Sequence, residues 1–190
     1  MLAVLPPTGA RAENPAQGTV SRGLMGARTP HTSMRIIVHG GAGGTPDEPE
    51  PRQAVLDDAA EAGAAESDPV DAVEAAVNVL EASDRFNAGY GGAVQSDGRV
   101  RTDAGLMTSD RETGAVASMD GVQEAISAAR VVMTETPHIF VAGEHAVDLA
   151  AEFGVETGVD LLTPEKREAY EDEDPPTAGP KAHLEWLEER

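Results

Sequence analysis

The sequence contains no cysteine, and this absence removes several kinds of chemistry at once. Without a thiol the chain forms no disulfide, no thiolate metal site and no cysteine nucleophile. Lysine is nearly as scarce, because Lys166 and Lys181 are the only two among 14 basic residues. Aromatic residues make up 3% of the chain, and no apolar run approaches the roughly 18 residues that cross a bilayer. These absences predict a cytoplasmic protein without disulfides or membrane spans.

Negative charge is in large excess, with 34 acidic against 14 basic residues and a formal net charge of −20. Repulsion of this size weakens a compact state at low ionic strength, whereas molar salt shortens the screening length to roughly 3 Å. The composition therefore predicts a halophilic source, and the alternative is an ordinary acidic cytosolic protein. Nucleic acids and anionic membranes are not expected partners of either.

The chain of 190 residues is about the size of one domain. Residues 1–33 are predicted to be a disordered extension, because their apolar stretch is too short and too interrupted by proline and glycine for a secretory signal. Met34 is an alternative first residue. Residues 34–160 carry the regular patterns, and residues 161–190 read as an acidic, proline-interrupted linker or tail. This tail is predicted to be partly disordered, with an amphipathic helix at "KAHLEWLEER".

Between these ends the patterns predict helices in pairs beside a run of strands. One helix is expected over residues 52–67, and a second begins with Asp68 as its N-cap and Pro69 at its first position. Its predicted core face carries Val70, Val73, Val77 and Leu80. Short strands follow at "RVRTDAGLMT" and "GAVASM", connected as in a hairpin.

The second part of the pattern is helix, strand, helix. "VQEAISAARVVMTE" predicts a helix, "HIFVAG" a short buried strand, and "EHAVDLAAEFG" a helix closed by Gly154 at the C′ position. The inward face of the first of these helices is predicted to carry Val122, Ile126, Ala129 and Met133. This order favours layered α and β structure over strict βαβ alternation, with edge strands that something else completes.

The most distinctive motif is the glycine run "IIVHGGAGG" at residues 36–44. A phosphate-binding P-loop requires Gly-Lys-Ser/Thr before a helix, but Gly44 is followed by Thr-Pro-Asp-Glu. The dinucleotide fingerprint fails as well, because Pro46 stands where its third glycine belongs. The histidines show no zinc-binding spacing, and no G-x-S-x-G motif marks a serine nucleophile. The usual catalytic signatures are therefore missing.

Four segments in order carry a resemblance to a known family: "HGGAG" at 39–43, "LEASDRFNAGYG" at 80–91, "TGAVASMDG" at 113–121, and "AARVVMTETPHIFVAGEHAVDLAAEFG" at 128–154. Together they resemble the plant-type L-asparaginase/isoaspartyl peptidase family of N-terminal-threonine hydrolases, which are threonine peptidases. The likeness runs from about Arg35 to Gly154. It implies the αββα sandwich of the N-terminal-nucleophile hydrolases, incomplete without a β chain.

The resemblance also implies a mechanism and partners. Family members cut themselves before a threonine into an α and a β chain, and the freed threonine attacks the side-chain amide of L-asparagine or an isoaspartyl peptide bond. Its hydroxyl is the nucleophile and its own α-amino group the general base, so that catalysis needs no cofactor. The expected assembly is an (αβ)2 heterotetramer acting on a small-molecule substrate.

The threonine motif of the family has no match here. "GTVS" at 18–21 precedes the first strand, and "TGAVA" at 113–117 lies within a matched α-chain strand. The sequence therefore resembles an α chain that requires a β chain with an N-terminal threonine. The alternative is a truncated or split-gene remnant that is inactive and acts at most as a binding or assembly partner.

Residue roles transfer only to matched positions. Spacing alone favours a structural role for Asn87, as a turn residue beside Gly89. The resemblance instead implies that Asn87 is the active-site asparagine whose amide orients the threonine. His39, Gly40 and Gly41 match a loop near the cleavage site, where glycine permits close approach of the backbone. A structural sodium ion is implied for a loop whose main-chain carbonyls align with Leu80, Glu81, Ser83, Phe86, Ala88 and Tyr90.

Overall fold

The computed structural model of the protein describes residues 34–44, 46 and 48–188 and the backbone of Ala3–Leu5. In chain order its elements are β1 (Ala3–Leu5), β2 (Arg35–Ile37), α1 (Pro49–Ala65), α2 (Pro69–Glu81), β3 (Arg101–Met107), β4 (Thr113–Asp120), α3 (Ala125–Glu135), β5 (Val141–Ala142), α4 (Glu144–Glu152), α5 (Pro164–Asp172) and α6 (Pro180–Glu188). The chain is a mixed α/β protein, as the order of the predicted elements indicates.

Helix α2 begins where its sequence predicts. The Asp68 carboxylate accepts hydrogen bonds from the backbone amides of Val70 at 2.8 Å and Asp71 at 3.3 Å, and Pro69 occupies the first turn. The carboxylate satisfies N–H groups that lack a partner within the helix and complements the positive end of the helix dipole. The local chemistry of Asp68 and Pro69 is sufficient to fix this boundary.

The buried face of α2 differs from the predicted valine stripe. Ala72 and Ala76 are fully buried and Leu80 is buried, whereas Val70, Val73 and Val77 are only half-buried. The prediction was right for Leu80 and wrong for the valines. The physical reason is close helix packing, since a Cβ on Gly63 of α1 would lie 2.7 Å from the Ala72 carbonyl oxygen. Small residues let α1 and α2 approach, and the valines flank that seam.

Replacing Asp68 with alanine should lower the free energy of unfolding by about 1 kcal/mol, because two amides at the start of α2 lose their acceptor. The measurement is urea unfolding of the full chain at fixed salt. Ser67→Ala, at the exposed neighbouring position, is the matched control and should change stability by less than about 0.5 kcal/mol. Equal effects of both substitutions would contradict the capping role.

The central sheet has the order β3-β4-β5. Strands β3 and β4 pair antiparallel, as predicted for a hairpin, and β5 pairs parallel to β4 through Val116 with Val141 and Ala117 with Ala142. The register of the hairpin shifts between Thr102 and Ala104. The shift accommodates an irregular strand in which Ser118 has a φ of 57° and donates its backbone N–H to the Asp103 carboxylate at 2.6 Å.

The predicted buried strand over residues 138–143 is mostly wrong. Only Val141–Ala142 form a strand, while the side chains of Ile139 and Phe140 are 68% and 57% exposed. The prediction rested on the apolar character of this stretch. Strand formation also requires a neighbouring strand, and β4 pairs with only two residues of the stretch. The apolar residues just before β5 therefore lie on the surface of this chain.

Helices α3 and α4 cover one face of the sheet. A buried cluster joins them to β4 and contains Val116, Met119, Val122, Ala125, Ala128, Ala129, Val132, Ala146 and Ala150. Ile126 and Ala129 of α3 face inward as predicted, whereas Met133 is only half-buried. Val122 is buried as well, but it precedes the helix, which begins at Ala125 and not at Val122 as predicted. Gly154 follows α4 with a φ of 84°, and the bonds from Gly154 N–H to Ala151 and from Val155 N–H to Ala150 close the helix as predicted.

The two ends of the chain bear on the predicted domain limits. Strand β1 lies within residues 1–33, for which a disordered extension was predicted, and pairs antiparallel with β2; the rest of that segment lies outside the described residues. In the predicted tail, α5 and α6 are helical. Helix α6 covers residues 181–188 of the predicted amphipathic helix, whose last two residues lie outside the described residues. The limits at residues 33 and 160 stay predictions.

Candidate active site

Two glycine-containing segments that are far apart in sequence meet at one place. Gly40, from the loop after β2, lies directly against the ring of Phe86 in the turn after α2. A Cβ built on Gly40 would be 2.3 Å from the Phe86 Cε1 atom, so only glycine fits without moving the ring. The two segments that the sequence singled out, residues 39–41 and 86–91, are therefore neighbours in space.

Within the first segment, the imidazole of His39 caps the loop. Its Nδ1 accepts a hydrogen bond from the backbone N–H of Gly41 at 3.0 Å. Gly41 has a φ of 111°, a conformation that favours glycine. Both residues are exposed, so the loop presents backbone and an imidazole at the surface.

Asn87 lies in the turn that follows α2, and its side chain is exposed. The turn around it is tightly constrained. The Tyr90 N–H donates to the Glu81 carbonyl at 2.8 Å, and a Cβ on Gly89 would lie 2.5 Å from the Glu81 carbonyl oxygen and 2.9 Å from that of Gln123. A rigid turn thus holds the Asn87 amide at the surface, and the same turn contacts the loop of His39 through Phe86 and Gly40.

Two arginines, Arg52 and Arg85, fix the turn around Phe86. The Arg52 guanidinium lies 5.9 Å from the centre of the Phe86 ring and donates to the carbonyl of Arg85. The Arg85 side chain in turn pairs with Glu48 at 2.9 Å. Because α1 begins just after Glu48, these contacts fasten the start of α1 to the turn and fix the position of Phe86 against Gly40.

Glu81 is the buried acid of this region, with its side chain 2% exposed. Its Oε1 atom accepts a hydrogen bond from the backbone N–H of Ile126 at 3.0 Å, in the first turn of α3. Helix α3 has no side-chain cap from its own N-cap residue, Glu124, and Glu81 supplies one from another element. Oε2 has no hydrogen-bond partner among the described residues.

Burial of Glu81 raises the pKa of its carboxyl from 4.5 to about 8, because the charged form loses its hydration. The neighbouring carboxylates Glu124 and Glu74 raise the pKa further, while the backbone amides of Ile126 and Ala125 lower it. A carboxyl that is protonated at neutral pH carries no charge, so burying Oε2 costs less free energy than burying a carboxylate.

The carbonyls expected to surround a sodium ion lie along the turn from Leu80 to Tyr90. Those of Leu80, Glu81 and Ser83 already accept backbone hydrogen bonds, from Ser83, Tyr90 and Phe86 respectively. A carbonyl oxygen has a second lone pair, so these bonds leave room for a cation. Neutral oxygen donors on a tight loop fit a hard monovalent ion. Among the described residues no cluster of His, Asp and Glu suits a transition metal.

Sequence reasoning missed two residues that shape this site. It named Glu81 only for its carbonyl, although an acid at the end of an apolar helix face is a signal of a buried polar role. It did not single out Lys166, whose Nζ donates to the carbonyl of Gly91 and, at 3.1 Å, to that of Gly92. Contacts to main-chain carbonyls 75 and 74 residues away leave no local pattern.

The contact between Gly40 and Phe86 can be tested by substitution. Gly40→Ala should lower the free energy of unfolding by about 1 to 3 kcal/mol, because the added methyl displaces the ring. Urea unfolding measures the effect, and Phe86→Leu in the same chain should recover part of it. Gly43→Ala is the control, since nothing lies within 4 Å of a Cβ there. Equal losses at both glycines would contradict the contact.

The geometry defines a mixed α/β chain with an exposed asparagine on a rigid turn beside a His-Gly-Gly loop. A family model described as asparaginase matches residues 32–185. The chain belongs to the asparaginase family.

Relatives agree with this assignment. The plant-type L-asparaginase of Pyrobaculum calidifontis is 46% identical over an alignment of 127 residues, which covers 63% of this chain and 42% of the relative. The isoaspartyl peptidase/L-asparaginase of Rattus norvegicus is 35% identical over 147 residues, 73% of this chain and 44% of the relative. The plant-type L-asparaginase of Pyrococcus abyssi is 41% identical over 146 residues, 73% of this chain and 47% of the relative. The chain spans less than half the length of these curated relatives.

The resemblance noted in the sequence is confirmed at the level of the family. The roles expected of Asn87, of residues 39–41 and of the carbonyl loop stay predictions. No helix in the described part of the chain is long and apolar enough to span a membrane.

Proposed function

We propose that this chain is the α part of an amidohydrolase that cleaves the side-chain amide of L-asparagine or the isoaspartyl bond of dipeptides. The observation that carries the proposal is the meeting of the loop of residues 39–41 with the turn that bears Asn87, through Gly40 and Phe86. The relatives named for asparaginase and isoaspartyl peptidase activity support the substrate class. An amide side chain on a constrained turn suits the positioning of a nucleophile.

In the proposed mechanism the nucleophile is a threonine at the amino terminus of a β chain. Its α-amino group, with an ordinary pKa near 7.7, takes the proton from its own hydroxyl as that oxygen attacks the amide carbon. The α-amino group passes that proton to the departing nitrogen, so that ammonia, or the amine of the dipeptide, leaves, and water then releases the acyl group from the threonine. The chain described here contributes orientation to these steps and not the attacking atom.

The residues of this chain have two tasks in that scheme. The Asn87 side-chain amide hydrogen-bonds the threonine and holds its hydroxyl in the attacking direction. His39, Gly40 and Gly41 line the approach to the cleavage site, where the absence of side chains on the glycines lets a second backbone come close. Both tasks need fixed backbone geometry, which the contacts of Gly89 and Phe86 supply.

A sodium ion would be held by the main-chain carbonyls of Leu80, Glu81, Ser83, Phe86, Ala88 and Tyr90. It would supply positive charge that keeps these carbonyls turned inward and stiffens the turn. It has no part in bond making, so catalysis itself requires no cofactor.

The proposed assembly is an (αβ)2 heterotetramer in the cytoplasm, in which the β chain completes an αββα sandwich. The exposed apolar side chains of Ile139 and Phe140, next to the two-residue strand β5, support an incomplete layer. The acidic surface of a chain with net charge −20 supports function at high salt.

The decisive experiment is to purify the chain from its native cells in molar potassium chloride and to sequence the amino terminus of every polypeptide that accompanies it. We expect a partner that begins with threonine, and release of ammonia from L-asparagine or of aspartate from β-aspartyl dipeptides. The 190-residue chain alone should hydrolyse neither. A chain that purifies without a partner and without amidohydrolase activity would overturn the proposal in favour of an inactive remnant.

A further inference from the structure

The segment that contains α5 also contacts the glycine turn, through bonds that do not involve α2. The Gly91 N–H donates to the Leu161 carbonyl at 2.8 Å, while the Lys166 ammonium donates to the carbonyls of Gly91 and Gly92. Donor and acceptor of Gly91 are thus both engaged by residues 161–166. We call residues 161–170, with these contacts, the clasp.

The position of Lys166 is itself fixed by buried neighbours. Thr163, 6% exposed, caps α5 by accepting a hydrogen bond from the Lys166 N–H at 3.3 Å. Its methyl carbon would lie 3.3 Å from a Cβ on Gly91, and Leu161 is 3% exposed. The helix start is therefore anchored, so that the lysine stem projects from a defined point rather than from a loose tail.

The other end of the clasp reaches further along the same loop. The Tyr170 hydroxyl donates to the Ser96 carbonyl at 2.9 Å, and a Cβ on Gly98 would lie 2.7 Å from the Tyr170 ring. Helix α5 thus contacts the chain at Gly91 and again at residues 96–98. These contacts locate α5 on the loop independently of Lys166.

Lysine suits the junction between clasp and turn for a chemical reason. Its ammonium group carries three donors and a full charge, and hydrogen bonds from charged donors are stronger than neutral ones. The carbonyl oxygens of Gly91 and Gly92 approach the same ammonium group, whose positive charge offsets the repulsion between their partial negative charges. With Lys166 in place, Gly91 and Gly92 keep that arrangement, and Gly92 N–H closes the turn onto the Gly89 carbonyl at 3.0 Å.

We propose that Lys166 is a positioning residue for Asn87, acting through the backbone of Gly89–Gly92. Two tethers then define the turn: the Glu81 carbonyl holds Tyr90 from α2, and the Lys166 ammonium holds Gly91 and Gly92 from α5. The consequence for catalysis rests on the proposed function, but the tether itself is a property of the chain.

Hydrogen exchange on the full-length chain tests the tether without reference to activity. Lys166→Met keeps the apolar stem and removes the donors, so the amides of Tyr90, Gly91 and Gly92 should exchange about tenfold faster. Amides within α1 should be unchanged. Lys166→Gln, which keeps a neutral donor, should give a smaller increase at the same amides and serves in place of methionine if that variant unfolds throughout.

Two substitutions are matched controls. Arg167→Met removes a neighbouring cation of α5 whose ion pair with Asp160 is on the surface, and Lys181→Met removes the other lysine, whose side chain is 90% exposed. Both should leave exchange at residues 90–92 as in the wild type. Unchanged exchange in the Lys166 variants, or an equal increase in Arg167→Met, would overturn the proposal.

The effect of Lys166 on the position of Asn87 is tested by enzyme kinetics of the assembled two-chain protein. Lys166→Met should lower kcat about tenfold with little change in KM, because the turn is loosened while substrate contacts remain. A loss confined to KM would overturn the positioning role. Absence of hydrolysis by the wild-type assembly would instead refute the proposed function, and the exchange experiment would still decide whether the tether exists.

Discussion

Replacing Asn87 with alanine should reduce hydrolysis of L-asparagine by about 10²- to 10³-fold in the assembled two-chain protein. The expected size is that of removing one preorganised hydrogen-bond donor from an active site. The side chain is exposed in this chain, so its truncation should leave the fold of the chain intact. Initial rates of ammonia release, with assembly checked by size-exclusion chromatography in the same salt, measure the effect.

A control on the same turn separates loss of the amide from disturbance of the loop. Asp84 is an exposed neighbour whose carboxylate lies 3.9 Å from the Arg85 side chain. Asp84→Asn should keep wild-type activity, because no role near the threonine is expected of it. Wild-type rates for the assembled Asn87→Ala protein would refute the assignment of Asn87, while equal losses in both variants would point to the loop rather than to the amide.

The parts of the site that sequence could predict are those with local signatures. The His-Gly-Gly run and the Asn-Ala-Gly-Tyr-Gly turn stand out because glycine is required where backbones approach closely. Their meeting through Gly40 and Phe86 was not derivable from spacing, and only the family resemblance placed both near one site. Glu81 and Lys166 escaped notice as side chains because their partners are main-chain groups distant in sequence.

The fold shows the same division between local and non-local causes. The start of α2 at Asp68 and the end of α4 at Gly154 were predicted because capping depends on a few adjacent residues. The prediction for the buried face of α2 was partly wrong, because that face depends on how closely α1 packs against Ala72 and Ala76. The strand predicted over residues 138–143 was mostly wrong because strand length depends on what β4 offers as a partner.

The buried Glu81 carboxyl should make the free energy of unfolding depend on pH. Glu81→Gln should remove this dependence. The pKa of this group is about 8 in the folded chain against 4.5 ordinarily. Between these values the folded state binds a proton that the unfolded state lacks, so stability falls as the pH rises and the loss ends above about pH 8. The glutamine cannot titrate, and it keeps an acceptor for the Ile126 N–H.

The measurable quantity is the difference in free energy of unfolding between the wild type and Glu81→Gln, from urea unfolding in potassium salt at several pH values. Relative to the variant, the wild type should lose on the order of 3 kcal/mol between pH 5 and pH 8.5. Taking the difference cancels the general repulsion within so acidic a chain, which also grows with pH. Glu61→Gln, at an exposed position of α1, is the matched control and should track the wild type. A constant difference across this range would mean that the pKa of Glu81 is the same in the folded and unfolded chains, and it would refute the raised pKa of the buried carboxyl.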